Sequence, residues 1–339
     1  MVIVEASRLR EVVTSVLECE GATTDDATTQ AELLVEGDLR GHHSHGVRRL
    51  SVLVGRLRNG LVRSGEGPVH RWRTDAVLDV DGRSGFGPVV ARSAIDAITE
   101  RARTAGVAVA TVRNANHIGM LAPYVEQIAG TGQIGIALTT SEALVHPWGG
   151  ARPMIGTNPI GIGVPTSGSP LVLDMSTAAV SMGKVLDHAA QARPLPLGWA
   201  VDGSGAPTAD AQAATRGAVS PFGGPKGYAL GLALEVLVAT LTGSALGTRV
   251  RGTLDIEYEC TKGDVFVALS VERLGLVHML PAVDRYLDEV RGSDSDPHIR
   301  IDVPGDRARR TRADRLRSGI PLPPDVWAGV LALKEARSV

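Results

Sequence analysis

Residues 106–140, "GVAVATVRNANHIGMLAPYVEQIAGTGQIGIALTT", decide the fold class. The segment "GVAVATV" is a run of small and β-branched apolar residues, which is typical of a buried strand. "MLAPYVEQIAGTG" has the apolar spacing of a helix and ends at glycine, and "IGIALTT" is predicted as a second buried strand. Because alternating strands and helices form layered structures, this stretch predicts an α/β protein.

The same alternation extends on both sides, and it predicts a mixed or parallel sheet covered by helices. The further predicted strands are "AVLDVDG" (76–82), "NPIGIGVP" (158–165), "LVLDMS" (171–176) and "GDVFVALSVE" (263–272). Both chain ends differ, since residues 1–60 and the charged segments after residue 280 have helical patterns. The glycine- and proline-containing stretch 190–226 is predicted as a long functional loop.

The composition is that of an ordinary globular protein. Hydrophobic residues make up 43% of the 339 residues, charged residues make up 21%, and the formal net charge is −2. Without a basic excess, neither nucleic acid nor an anionic membrane is an expected partner. The longest apolar stretch, 228–243, contains Glu235 and is too short for a bilayer, and Cys19 and Cys260 form no CxxC motif. We therefore expect a cytoplasmic location.

The segment "GHHSHGVRRL" (41–50) lies at the joint between two predicted helices and is rich in histidine. A metal site is disfavoured, because no partner histidine or carboxylate cluster has ligand spacing. A solvated polar joint and a catalytic site both remain open. In the catalytic interpretation, Ser44 orients His45 as the proton-exchanging group, and Arg49 pairs with a carboxylate. This set suits reduction of a carbon–oxygen or carbon–nitrogen double bond by a hydride-carrying cofactor.

Several strand ends and glycine-rich turns are candidates for nucleotide contact. "SGFGPVV" (84–90) lacks the third glycine of the dinucleotide fingerprint, so a packing turn is favoured there. Asn116 and His117 follow a strand, and backbone N–H groups at 113–121 are candidates for binding phosphate. "PFGGPKGYALG" (221–231) fits either a phosphate cradle or a plain helix start, and 172–184 has a strand ending in Asp174. Together these features favour a nucleotide-dependent enzyme.

An ordered series of motifs resembles the malate/L-lactate dehydrogenase family of NAD(P)-dependent oxidoreductases, over about residues 5 to 335. The motifs are "DLRGHHSHGVRRL", "NANHIGMLAPYVE", "PWGGARPMIGTNPIGIGVP", "LVLDMSTAAVSMGKV", "PLGWAVDGSGAPT", "GGPKGYALGLALEVL" and "TRADRLRSGIPLPPDVW". The resemblance implies a non-Rossmann nicotinamide-binding domain with a mixed sheet at 73–279. It also implies a helical domain from 1–72 with 280–339, and a homodimer.

The resemblance also implies the site residues, with His45 and Ser44 as the catalytic pair. Substrate-binding positions are Arg49, Thr157, Met182, Gly183 and Lys184. Cofactor-binding positions are His117, Ile118, Gly119, Met120, Leu121, Asp174, Met175, Ser176, Lys226, Gly227, Pro304, Gly305 and Asp306. The implied cofactor is NAD or NADP, with NADPH favoured, and no metal is expected. The implied substrate is a small 2-oxo or 2-hydroxy carboxylic acid.

The chain departs from the family pattern at three positions. Lys184 stands where the cyclic-imine reductases have an aspartate, Leu53 where many members have a tyrosine, and His43 where aspartate is commoner. A lysine cannot accept a proton as a carboxylate does, so the lysine disfavours imine reduction. The alternatives are a reductase of cyclic 2-imino acids and a non-catalytic relative that acts as a binding scaffold.

Overall fold

The computed structural model describes residues 1–293 and 300–335 of the chain. The first half begins with helices and then enters the sheet. Its elements are β1 (Val2–Val4), α1 (Ala6–Cys19), α2 (Thr24–Leu39), α3 (Leu50–Arg58), β2 (Val69–Trp72), β3 (Val77–Asp81), α4 (Gly87–Ala105), β4 (Val107–Arg113), α5 (Ala122–Gly130) and β5 (Gln133–Thr139).

The second half completes the sheet and returns to helices. Its elements are β6 (Ile160–Val164), β7 (Leu171–Met175), α6 (Met182–Ala190), β8 (Ala200–Val201), α7 (Ala211–Thr215), β9 (Ala218–Val219), α8 (Pro225–Thr242), β10 (Asp264–Ser270), α9 (Leu280–Arg291), α10 (Asp306–Ser318), β11 (Ile320–Leu322) and α11 (Pro324–Glu335). The predicted strands and helices of the α/β region are therefore confirmed, within a few residues at their ends.

A seven-stranded sheet in the order β2-β3-β4-β10-β5-β6-β7 forms the centre of the molecule. Strand β10, late in the sequence, lies between β4 and β5, so that Phe266 is paired with Ala110 on one side and Ala137 on the other. In this sheet β3 and β4 are parallel, and the other neighbouring strands are antiparallel. The sheet is therefore mixed.

The main apolar core lies between the sheet and helices α4 and α5. Ile95 and Ile98 of α4 and Tyr124 of α5 pack with Phe266 of β10, and all four are at most 1% exposed. Each such side chain contributes roughly 1.5–3 kcal/mol when removed from water. This core fixes the end of β4, from which the segment at Asn116 and His117 emerges.

A second core joins the two ends of the chain. Leu9 and Val13 of α1 pack with Leu50 of α3 and with Ile320 and Val330 near the C-terminus. Strand β1 pairs antiparallel with β11, with Val2 opposite Leu322. The prediction that residues 1–60 are all helical is therefore wrong at Val2–Val4, where alternate burial against β11 outweighs the helical pattern that follows.

The stretch 190–226 is not the long loop that its glycine and proline content predicts. Strands β8 and β9 pair within it, and α7 lies between them in sequence. Val185, Leu195 and Val219 form a small core with Val145 and Ile155. Apolar residues scattered through the loop-like sequence thus build a local layer. In the described part of the chain, no helix is long and apolar enough to cross a membrane.

The glycine turn at 84–90 packs against the end of β4. A Cβ atom on Gly87 would overlap with the backbone carbonyl oxygens of Asn116 and His117. The Asn116 side chain also donates from Nδ2 to the carbonyl oxygens of Ser84 and Gly85, at 2.7 and 3.1 Å. Close packing against Asn116 and His117 therefore explains the glycines in this turn.

We expect Gly87→Ala to lower the free energy of unfolding by about 1–3 kcal/mol, because the methyl group forces α4 away from this segment. Urea denaturation followed by circular dichroism measures the change. The matched control is Gly130→Ala, whose Cβ would enter open space at the end of α5. This variant should be no less stable than the parent protein. Equal losses in both variants would contradict the packing role of Gly87.

Candidate active site

The buried carboxylate of Asp38 sets the shape of the loop that follows α2. Its Oδ2 atom accepts a hydrogen bond from the backbone N–H of Val47 at 2.8 Å, and its Oδ1 atom lies 2.8 Å from Nδ1 of His43. Asp38 is 1% exposed, so both bonds act in a low-dielectric interior. A Cβ on Gly46 would overlap with this carboxylate, which explains the glycine after His45.

His43 belongs to this scaffold. Nη1 of Arg315, on α10, donates to the backbone carbonyl of Asp38 and lies 3.3 Å from Nε2 of His43. Because arginine can only donate, Nε2 accepts, and the imidazole proton lies on Nδ1 facing Asp38. The histidine at this position thus bridges a carboxylate and a guanidinium.

The loop brings the three predicted catalytic and anchoring residues together. Oγ of Ser44 lies 3.1 Å from Nδ1 of His45, and Nε of Arg49 donates to the carbonyl oxygen of Ser44 at 2.8 Å. The His45 ring stacks on that of His117, with 5.7 Å between centroids and 10° between planes. His45, Arg49 and His117 line one cavity. With Nδ1 facing Ser44, Nε2 of His45 is the atom left for proton exchange.

Burial, together with the positive charges of Arg49 and His42, lowers the pKa of His45 to about 3. Burial, with the charges of Arg49 and His45, also holds the pKa of His117 well below its usual value. Both rings are therefore neutral near pH 7. A neutral His45 is ready to accept a proton, and an anion paired with Arg49 would offset the arginine charge and favour the protonated ring.

The remaining wall of the cavity includes residues that the sequence pattern does not single out. Leu53 is 6% exposed and gives an apolar surface. The cavity lining that the sequence reasoning missed is Gln30, Leu33, Leu34, Val52, Arg56 and Thr253. Gln30 and Arg56 look like ordinary polar positions of helices α2 and α3, and no sequence signal marks them as buried.

The start of α6, which contains the predicted substrate-binding residues Met182, Gly183 and Lys184, lies beside the loop at Ser44. A Cβ on Gly183 would lie 3.5 Å from Cβ of Ser44. Nη1 of Arg48 and Oδ1 of Asp187 form an ion pair at 2.5 Å, which ties α6 to the loop. The ammonium group of Lys184 lies 4.8 Å from the centre of the Trp199 ring.

Thr157 and Ser176 lie next to each other. Oγ of Ser176 donates to the carbonyl oxygen of Thr157 at 3.0 Å, and Oγ1 of Thr157 lies 3.2 Å from Oγ of Ser141. Met175 ends β7, where it pairs with Ile160. Hydrogen bonds thus connect the residue after β7, Ser176, to the segment around Thr157.

Asp174 occupies the N-terminus of α5. Its Oδ2 atom accepts hydrogen bonds from the backbone N–H groups of Leu121 and Ala122, both at 2.8 Å. These two donors are therefore already used and are not open to a phosphate. Burial raises the pKa of Asp174 to about 6, although the two N–H groups oppose this shift.

The other residues predicted to contact the cofactor divide into buried and polar positions. Ile118 and Met120 are buried. Gly119 has a positive φ, and a Cβ atom added to it would lie 2.6 Å from Cδ2 of Leu33. The carbonyl oxygen of Pro304 accepts from the N–H of Val172 in β7 at 3.2 Å, which places 304–306 beside this strand. Hydrogen bonds from Arg291 and Arg309 hold the pKa of Asp306 far below its usual value.

The first turn of α8 has the chemistry of an anion site. No side chain caps this helix, and Lys226 forms no ion pair with any residue that the structure describes. A Cβ on Gly227 would overlap with the carbonyl oxygen of Phe222, so glycine is required there. Uncapped N–H groups and an unpaired ammonium group fit a phosphate of a dinucleotide.

Comparison with known proteins assigns the chain to a family. The family model for malate/L-lactate dehydrogenase matches residues 4–331. The chain belongs to this family. It is therefore an oxidoreductase.

Similar proteins with known roles span most of the chain. An L-sulfolactate dehydrogenase from Methanocaldococcus jannaschii is 36% identical over 307 residues, covering 90% of this chain and 89% of that protein. A Δ1-pyrroline-2-carboxylate reductase from Pseudomonas fluorescens is 37% identical and covers 67% of this chain and 68% of its own length. The crystal structure of a dehydrogenase from Sinorhizobium meliloti superposes with a TM-score of 0.94, at 45% identity and 98% coverage of both chains.

The buried carboxyl group of Asp174 should make the stability of the protein depend on pH. Because the pKa of Asp174 is raised in the folded state, its protonated carboxyl group contributes to the free energy of unfolding at low pH. This contribution is lost as the pH rises from about 4 through about 6. Asp174→Asn keeps an oxygen acceptor for α5 but does not titrate. We expect the variant to gain on the order of 3 kcal/mol relative to the parent protein between pH 4 and 7.5. Urea denaturation at both pH values measures the difference.

Asp284→Asn is the control with the opposite sign. Hydrogen bonds from Ser167 lower the pKa of the exposed Asp284, so its contribution is lost as the pH falls. This variant should lose stability relative to the parent protein as the pH rises. If the difference in unfolding free energy between Asp174→Asn and the parent protein did not change with pH, the pKa of the Asp174 carboxyl group would not be raised.

Proposed function

We propose that this family member is an NAD(P)-dependent oxidoreductase that exchanges hydride between a nicotinamide and C2 of a small 2-oxo or 2-hydroxy carboxylic acid. The observation that carries the proposal is the cavity in which His45, backed by Ser44 at 3.1 Å, faces the same space as Arg49. The relatives support it, since they include sulfolactate and malate/sulfolactate dehydrogenases.

In the proposed reaction, the protein residues orient the substrate and move one proton. A bound reduced nicotinamide supplies the hydride. Arg49 pairs with the substrate carboxylate through parallel hydrogen bonds, which places the adjacent carbonyl near His45. Nε2 of His45 gives its proton to the carbonyl oxygen during reduction and takes it back during oxidation. Ser44 holds the ring through Nδ1, and His117 packs on its face.

The cofactor residues are proposed to form a surface that runs from His117 past Ser176 to the first turn of α8. Lys226 and Gly227 would hold a phosphate there, for the reasons given above. Residues 304–306 lie beside β7 and would contact the other end of the dinucleotide. We propose NAD or NADP, with NADPH favoured. Arg307 of α10 forms no ion pair with the described residues. The 2′-phosphate of NADPH would give this guanidinium group an anionic partner.

The proposal includes a division of the chain that follows the two cores. Residues 1–72 with 280–339 would form the helical domain, except that β2 (Val69–Trp72) pairs with β3 as an edge strand of the sheet, and 73–279 would form a nicotinamide-binding domain of non-Rossmann type. The antiparallel position of β10 between β4 and β5 supports this, since a Rossmann sheet has parallel strands at its centre. The apolar core shared by β1, α1 and α11 supports the helical domain.

We propose that the enzyme is cytoplasmic and acts as a homodimer, without nucleic acid or membrane as a partner. Helix α8 supports the dimer, because it exposes a row of large apolar side chains in addition to its buried face. These side chains are Leu230, Leu232, Val236, Leu237 and Leu241, each 38–49% exposed.

Reduction of a cyclic 2-imino acid is the second candidate, because relatives include pyrroline-2-carboxylate reductases. That reaction would use the same proton donor and anchor. The oxo acid is favoured, since position 184 offers an ammonium group over Trp199 rather than a carboxylate beside Ser44. The intact set of Ser44, His45 and Arg49 favours either enzyme over a non-catalytic scaffold.

The decisive experiment follows NADPH and NADH absorbance with a panel of 2-oxo acids and cyclic imines. We expect turnover of 2-oxo acids, with a higher kcat/KM for NADPH. His45→Ala should lower kcat by roughly 10²–10⁴-fold, because the proton donor is lost. Cofactor affinity, measured by calorimetry, should be unchanged. His278→Ala, a histidine outside the cavity, is the control. Loss of cofactor binding in His45→Ala would show that the proton-transfer role is wrong.

Arg49→Ala should raise KM for the oxo acid by roughly 100-fold, with a smaller effect on kcat, because it removes the carboxylate partner. Arg49→Lys keeps the charge but cannot make two parallel hydrogen bonds, so its KM should be intermediate. Steady-state kinetics at saturating cofactor give both constants. A variant with unchanged KM and reduced kcat would contradict the anchoring role.

A further inference from the structure

His117 presents to the active-site cavity an N–H group that has no acceptor in the described part of the protein. Its Nδ1 atom accepts a hydrogen bond from the backbone N–H of Gly119 at 3.2 Å, so Nδ1 carries a lone pair. A neutral imidazole then carries its only proton on Nε2. No described residue accepts a hydrogen bond from Nε2, and Nε2 is not among the polar atoms that are buried without a partner. This N–H therefore faces the space of the cavity that His117 lines.

The surroundings keep the His117 ring neutral. Burial, with the positive charges of Arg49, His45 and Lys262, holds the pKa of His117 well below its usual value. Arg56 adds a further positive charge. A neutral imidazole donates a hydrogen bond without releasing its proton near pH 7, so this ring can stabilise a negative oxygen and stay unchanged itself.

The chain holds this ring from both sides. Asn116, which precedes it, is 1% exposed and accepts a hydrogen bond from Nε of Arg56 at 3.0 Å. After it, Oη of Tyr124 donates to the carbonyl oxygen of Ile118 at 2.5 Å. The positive φ of Gly119 turns its N–H back toward Nδ1 of the ring. The donor is therefore fixed before a substrate binds, as electrostatic catalysis requires.

His45 and His117 offer one nitrogen each to the same cavity. Their rings stack with 5.7 Å between centroids and 10° between planes. Nδ1 is engaged in both rings, by the hydroxyl group of Ser44 in one and by the N–H of Gly119 in the other. Nε2 is thus the free nitrogen of each ring. A carbonyl oxygen has two lone pairs, so it can accept from both nitrogens at once.

We propose that His117 is a second catalytic residue, whose Nε2–H donates to the reacting oxygen of the 2-oxo acid. During reduction, C2 gains the hydride supplied by the reduced nicotinamide, the carbon–oxygen π bond breaks, and its electron pair moves to the oxygen. That oxygen takes a proton from Nε2 of His45. His117 keeps its own proton and stabilises the negative charge as it develops. This inference rests on the proposed function, and it gives the ring a role toward substrate beside the cofactor role proposed for its segment.

The first experiment replaces the donor in the full-length enzyme. His117→Phe keeps an aromatic ring against His45 and removes the N–H, so kcat for 2-oxo acid reduction should fall roughly 100-fold. KM should change less than about threefold, because Arg49 still binds the carboxylate. Kd for NADPH, measured by calorimetry, should also change less than about threefold. His117→Gln puts an amide NH2 near the position of Nε2, and its kcat should be at least about tenfold higher than that of His117→Phe.

Tyr124→Phe is the matched control for a purely structural effect. It removes the hydrogen bond to Ile118 in the same segment, and Tyr124 does not line the cavity. The midpoint of its urea denaturation should fall, while its kcat stays within about threefold of the parent value. Unchanged kcat in His117→Phe, or equal losses in His117→Phe and His117→Gln, would overturn the donor role. Loss of NADPH binding in His117→Phe would show that the ring serves only the cofactor. Turnover of no 2-oxo acid by the parent enzyme would overturn the proposed function itself.

The second experiment needs no turnover. Two-bond proton–nitrogen correlation spectra of the enzyme labelled with 15N-histidine report which ring nitrogen carries the proton, and the His117→Gln spectrum identifies the His117 signals by their absence. We expect the neutral Nε2–H form between about pH 6 and 8, and a shift of this proton when oxamate, an analogue of a 2-oxo acid, is added with NADPH. The Nδ1–H form, protonation of the ring in this range, or an Nε2–H signal indifferent to oxamate would overturn the proposal even if 2-oxo acids are substrates.

Discussion

The shape of the candidate active site depends on one buried carboxylate. Asp38, at the end of α2, binds the N–H of Val47 and the ring of His43, and its size forces glycine at position 46. These bonds determine the direction in which the chain leaves the helix, and therefore where Ser44 and His45 lie. Arg315 reaches the same residue from α10, so the catalytic loop is shaped by groups from both halves of the sequence. Asp38 thus fixes the backbone of the loop, within which Ser44 contacts both His45 and Arg49.

A second constraint links that loop to the sheet. Asn116 follows β4, binds the glycine turn through its amide nitrogen, and accepts from Arg56 through its oxygen. One side chain therefore aligns the turn before α4, the floor of the cavity and helix α3. The neighbouring His117 stacks on His45 as a consequence. Packing of the α/β core and the geometry of the cavity are set by the same few atoms.

The sequence allowed the layered α/β architecture to be predicted, because strands β3 to β7 and the helices between them have clear apolar periodicity. It also allowed Ser44, His45 and Arg49 to be grouped, since they are close in sequence and their chemistry is complementary. Pairing of β1 with β11 could not be predicted, because a three-residue strand has no periodic signal and its partner lies at the far end of the chain. Arg56 and Gln30 were missed for a related reason. The burial of Arg56 results from tertiary contacts with Asn116 and the loop 252–258, and neither these contacts nor the burial of Gln30 can be seen in local spacing.

Strand β1 has a consequence for how the protein is made. Val2 leaves the ribosome before its partner Leu322 and the adjoining α11, because these follow all seven strands of the central sheet in the sequence. During synthesis the apolar faces of α1 and α2 lack part of their final cover, while the central sheet can close once β10 has emerged. Arg315 also follows the sheet in the sequence, so the loop at Asp38 and His43 takes its final shape after the sheet strands have been synthesised. A nascent chain that has completed β10 but not α10 can therefore form the sheet while the loop after α2 still lacks its contacts with Arg315.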